Sequence, residues 1–181
     1  MVLRSFLMIP VVVLVSAALG MSVLACGDSV QQEALTYNQT AVAALHKISE
    51  AARDLENSLV QDNDEQPVDG EVANAKLSAY QETLESGREE VAGASVPDLD
   101  SAREFSSAIE EYFQFHSERY LEVASEAVEV ATSTDVEEEQ DQAALLFFGS
   151  IAEERSELWD EITRTQQTFA DEVDITLEER E

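Results

Sequence analysis

Residues 101–131 read SAREFSSAIEEYFQFHSERYLEVASEAVEVA, and this stretch decides the fold. Phe105, Ile109, Tyr112, His116, Tyr120, Val123, Ala127 and Val130 recur at steps of three and four, the spacing that lines one face of a helix. Nothing in the stretch alternates with a period of two, so no strand is predicted. Ser101 with Glu104 offers a capping box at its start. The steps of four on both sides of His116 shift the seam there, as a stutter does, which would loosen the packing and leave room for a ligand.

The same pattern extends to both sides. Ahead of it, Ala41, Leu45, Ile48, Ala52, Leu55 and Leu59 form one stripe, with Ser29 and Gln32 as a capping box, and Ala73, Leu77, Tyr80, Leu84, Gly87, Val91 and Ala94 form another, capped by Asp69. Behind it, Thr134 with Glu137 opens a segment whose stripe is Ala144, Phe147, Ile151, Arg155, Leu158, Ile162, Thr165, Phe169 and Val173. Glu137, Glu138 and Glu139 suit the positive end of that helix dipole, and Gly149 with Ser150 marks a bend. Breaks fall at Pro67 to Gly70, at Gly93 to Pro97 and at Thr132 to Thr134. Helices are therefore predicted at 30–60, 70–94, 101–131 and 135–177, with 178–181 as a tail frayed by carboxylates at the negative end of the dipole. Four amphipathic helices with short connections predict an all-α, up-down-up-down four-helix bundle over residues 31–177. Helices of about 30 residues rise about 45 Å, so the bundle is elongated.

The net charge is -29, with 39 acidic residues against 10 Lys and Arg. Such a field opposes nucleic acid, which must be met by cations that displace its counterions. It also repels anionic lipid headgroups. It suits a solvated surface, or attraction of a basic protein or of divalent cations.

The first 26 residues differ from everything after them. Arg4 precedes an uncharged apolar run from Phe6 to Ala25 that ends at Cys26, the single cysteine. A cation, an apolar run and a small residue before a cut make a secretory signal rather than part of a fold. Val23, Leu24, Ala25 and Cys26 resemble the bacterial lipobox, although Val23 stands where Leu is most frequent and Leu24 where a small residue is. The resemblance implies a signal peptide over 1–25, a lipid-attachment tether over 26–30 and acylation of Cys26. An ordinary signal-peptidase site and an uncleaved anchor are the alternatives. Lipoprotein sorting implies the outer membrane slightly ahead of the inner, because Gly27 and not Asp follows the cysteine. Tyr37 and Asn38 after Cys26, the run Phe105, Tyr112, Phe113 and Phe115, and the late Gln167, Thr168, Phe169 and Ala170 resemble a family of uncharacterised helical bacterial surface lipoproteins. That likeness implies no known activity.

Candidate chemistry is sparse. Di-iron bundles need Glu-x-x-His pairs, but Ala43 and Phe113 stand three before His46 and His116. His46 falls beside the seam residue Leu45, which argues against haem held by two histidines. Asp62, Asn63, Asp64 and Glu65 begin like a calcium loop and then fail at Gln66, Pro67 and Ala73. No cofactor, metal site or catalytic set is expected. If the third and fourth helices turn back about Ser133, Arg155 comes level with Glu111 and Tyr112, His116 with Ile151, and Tyr80 reaches the same height. Tyr80, Glu111, Tyr112, His116 and Arg155 would then cross mid-bundle as a polar band. It would be a register-fixing network or a small-ligand pocket in which Arg155 forks onto a carboxylate. Phe105, Phe115, Phe147, Phe148 and Trp159 read as core, or as a partner-binding face should Phe115, Phe148 and Trp159 be exposed together. The chain thus reads as a non-enzymatic, membrane-anchored acidic module of the bacterial envelope, held by its acyl chains. A ligand-binding bundle is the alternative, and an enzyme comes third.

Overall fold

Residues Asp28–Leu59 form one helix, α1, because its apolar positions keep to one side: Ala41, Leu45, Ile48, Ala52, Leu55 and Leu59 are all buried. The computed structural model describes residues 28–59, 68–133 and 148–177. Cys26 and the signal segment, the loop from Asp62 to Glu65, the box at Thr134 and Glu137, Ala144, Phe147 and the tail all lie outside these. Ser29 is already inside α1, so the box assigned to it does not start the helix. Asp28 to Val30, read as tether, are helical.

Helix α2 covers Gly70–Ala92, and Asp69 caps it as its sequence position indicates: Asp69 Oδ1 accepts the backbone N–H groups of Glu71 and Val72 at 3.0 and 3.2 Å. It stops two residues before the expected end. The third rod is α3 (Asp100–Phe115), a π-helical turn (His116–Tyr120) and α4 (Leu121–Thr132) in unbroken succession. Its N-cap is Leu99, which supplies no side-chain bond. The Ser101–Glu104 box therefore does not form, because Ser101 is the second residue of the helix and donates its hydroxyl to Glu172 on the last rod. That rod, α5, covers Ala152–Glu172 and stops short of the expected end at 177, because Val173 and Asp174 turn the chain. Phe148 and Gly149 are helical ahead of it and the chain turns at Ser150 and Ile151, a break where the Gly149–Ser150 pair predicts a bend.

The described residues contain no strand, and their helices form an up-down-up-down four-helix bundle. Neighbouring rods run antiparallel. Lys47 meets Glu90 between α1 and α2, and Arg88 meets Glu110 between α2 and α3. Asn38 meets Gln166 between α1 and α5. Close approach of α1 and α2 depends on small residues: a Cβ on Gly87 would lie 3.2 Å from Ile48 Cδ1 and 3.6 Å from Ala44 Cβ. At one end, Tyr37, Phe105 and Phe169 form an aromatic layer with centroids 5.8 to 6.2 Å apart, in the edge and offset arrangements that such rings prefer.

The C-terminus of α5 closes through Asp174, whose φ of 55° is left-handed. The Ile175 N–H bonds to the Ala170 carbonyl at 2.9 Å, and Gln31 Nε2 donates to the carbonyls of Val173 and Asp174 at 3.2 and 3.3 Å. Glycine adopts this conformation without a Cβ penalty. Asp174→Gly is expected to stabilise the protein by roughly 0.5–1 kcal/mol, read as a raised urea midpoint with an unchanged slope.

Candidate functional site

The π turn sets the geometry of mid-bundle. In an ordinary α-helix a residue four positions on overshoots the starting face. A turn closed by a bond to the fifth residue is wider, and here the Leu121 N–H bonds to the His116 carbonyl. Tyr112, His116 and Tyr120 consequently all point inward, and all three are buried. The seam shift expected at His116 is therefore present. The room expected with it is filled by rings: His116 lies 4.2 Å from Tyr112, 5.0 Å from Tyr120 and 5.2 Å from Phe115, centroid to centroid.

Four of the five residues expected in the polar band meet here. Tyr80, from α2, has its hydroxyl 2.6 Å from His116 Nδ1. Tyr112 reaches across to α1, where its hydroxyl lies 3.4 Å from Ser49 Oγ. Arg155, from α5, places its guanidinium carbon 5.9 Å from the centre of the Tyr120 ring. Glu111 does not join them: its side chain is exposed. Sequence level gave its height, but one residue is about 100° of helical rotation, which turns Glu111 off the face that Tyr112 occupies.

The carboxylate comes from α1 instead. Glu56 is 5% exposed, and its Oε1 accepts from Arg155 at 2.6 Å and from the Tyr120 hydroxyl at 2.9 Å. A spacing signal for it existed. Asn38, Ala41, Leu45, Ser49, Ala52, Glu56 and Leu59 also step by three and four and are all buried, so the three polar residues lie on the seam with the apolar ones. The level of Arg155 also differs from the tight-turn expectation. Tyr112 packs against Trp159, centroids 5.8 Å apart, about one helical turn further along α5. Arg155 meets Glu56 and Tyr120 in place of Glu111.

Burial disfavours charge throughout the band. Burial first, and then the nearby Arg155 cation, push the His116 pKa down to about 3, so the imidazole is neutral at ordinary pH. Burial raises the pKa of the Tyr80, Tyr112 and Tyr120 hydroxyls. It works against the Arg155 charge as well, but Glu56, with Tyr120 and Tyr112 beside it, outweighs this and the guanidinium stays ionised. His116 Nε2 is buried without a hydrogen-bond partner, as are the Tyr37 hydroxyl and Asn38 Nδ2. The Tyr37 hydroxyl lies beside Ser106 outside bonding geometry.

The remaining candidates fall elsewhere. His46 is half-buried on α1 and pairs with Glu50 at 3.2 Å, far from a second buried imidazole. Phe105, Phe115 and Trp159 are buried and Phe148 half-buried, its ring 5.7 Å from Tyr120, so they belong to the core and form no exposed face. Among the described residues no group of three His, Cys, Asp or Glu is placed to hold a metal ion, and no helix is long and apolar enough to cross a membrane. No family model, curated protein or solved structure matches the chain.

Proposed function

We propose that the chain is a lipid-anchored, non-enzymatic module of the bacterial cell envelope, an acidic helical rod that engages other envelope components through its surface. One observation carries the reading: helix α1 is under way by Asp28, two positions after Cys26. A lipid on that cysteine would be joined to the bundle with almost no slack, so the rod would be presented from the membrane and not trail on a linker. The charge of -29 supports a surface held off anionic headgroups and attractive to a basic protein or to divalent cations. Two or more acyl chains anchor stably where one binds only marginally. The outer membrane is the proposed location, on the residue after the cysteine.

Mass spectrometry of the native N-terminus tests this. Acylated Cys26 is the expected product, and Cys26→Ser is expected to release the protein from washed membranes. A native N-terminus without acyl mass would overturn the anchor. A second reading, a bundle that binds a small ligand at the mid-bundle band, is favoured by the orphaned His116 Nε2. It expects a raised melting temperature with carboxylates, haem or divalent metals, and an unchanged one with all three counts against it.

A further inference from the structure

We propose that a notch beside the first turns of α1 receives a basic side chain, Lys or Arg, presented by a partner polypeptide. The proposal rests on the reading of the chain as an acidic interaction module and names where on it contact is made. The notch arises because α1 outlasts its neighbour. The two helices run antiparallel with Lys47 beside Glu90, so α2, which ends at Ala92, leaves only the turn at Gly93 to Ser95 against the start of α1. The result is an open groove of about 690 Å³.

Its chemistry points to an amphipathic cation. Tyr37, Thr36 and Ala94 line it. The Thr36 and Thr40 hydroxyls donate back to the carbonyls of Gln32 and Thr36 at 2.8 and 3.0 Å, which uses their donors inside the helix. Glu33 and Glu90 stand at the rim. The C-terminus of α2, with no basic residue in its last turn, adds the negative end of a helix dipole. A long aliphatic stem with a charged head fits an apolar floor beside Glu33 and Glu90, and an anion there would have to approach both carboxylates and the negative end of α2. Glu33 accepts from Ser95 Oγ and has no cationic partner among the described residues. Glu90 accepts from the Ser86 hydroxyl at 3.5 Å and pairs with Lys47, whose side chain is 53% exposed and can give way to another cation at little cost.

The test is titration of the full-length, nitrogen-labelled protein in detergent micelles with acetyl-Leu-Arg-Leu-amide at about 0.15 M salt, where long-range attraction is screened. Acetyl-Leu-Glu-Leu-amide is the control. Saturable amide shifts confined to Thr36, Gly93, Ala94 and Ser95 are expected with the arginine peptide alone. The surface pair Glu33→Gln with Glu90→Gln should weaken binding about tenfold without changing the circular dichroism. Shifts spread over the exposed carboxylates of α3 and α5, saturation that survives the double substitution, or no shift at millimolar peptide would each overturn the proposal. Since the peptide replaces the natural partner, any of these outcomes leaves the lipid anchor, read from acyl mass, standing.

Discussion

Replacing Glu56 by alanine is expected to cost about 3 kcal/mol, the largest single loss available outside the apolar core. The substitution leaves Arg155 in place, 21% exposed at its side chain and with no carboxylate opposite, and removes the nearer acceptor of the buried Tyr120 hydroxyl, leaving it the Ala52 carbonyl at 3.4 Å. The figure sits at the low end for a broken buried pair because Arg155 can reach some solvent. Removing both charges should behave differently. Glu56→Leu with Arg155→Leu eliminates the desolvation cost together with the attraction, and is expected to recover most of the loss or exceed it. Urea unfolding of the two single variants and the double variant gives the coupling directly. A Glu56→Ala protein as stable as the parent would show that the pair does not form.

The second large effect depends on pH. His116 has a folded pKa near 3 against about 6.5 unfolded, so between these values the unfolded chain binds a proton that the native state refuses. Stability must therefore rise with pH across that window, is fully present above about 6.5, and falls by about 1.4 kcal/mol per unit as the solution is acidified through it. Other groups titrate there too, since the chain carries 39 acidic residues. The measurable quantity is the difference from a variant without the imidazole. Tyr80→Phe with His116→Phe removes both members of the 2.6 Å contact and keeps two rings in the aromatic cluster. The variant is expected to match or exceed the parent above pH 7, because the orphaned Nε2 is gone, and its advantage should grow as the pH drops from 6 to 4. Parallel stability curves over that range would mean that His116 protonates in the folded protein. The charged and titratable groups around the ring are Tyr80 on α2, Glu56 on α1, Arg155 on α5, and Tyr112 and Tyr120 on its own rod, so no nearby carboxylate is free to hold an imidazolium without giving up Arg155.

The helices were legible because their signal is local. Leu45, Ile48, Ala52 and Leu55 sit on one face whatever they pack against, and Asp69 caps α2 with bonds to residues two and three positions on. The Ser101 box failed on a contact that local spacing does not register: a carboxylate from the far end of the chain, Glu172, takes the hydroxyl. The polar band was legible in part for the same reason. Tyr80, Tyr112, His116 and Arg155 lie on their own stripes, while Glu111 shares only their height. Glu56 is masked in the sequence pattern because the apolar residues beside it, Leu55 and Leu59, already account for the face.

The order of residues along the chain determines four amphipathic rods, most of their limits and the seam shift at His116, since all of these follow from periodicity and from steric rules that act within a few residues. Partnership across the core was decided only when the rods packed. Which carboxylate answers Arg155, which end of α1 stands clear of α2, and which imidazole nitrogen is left unpaired depend on rotation and offset between helices. Those quantities come from side chains that are distant in sequence competing for one volume, a competition that no single segment contains.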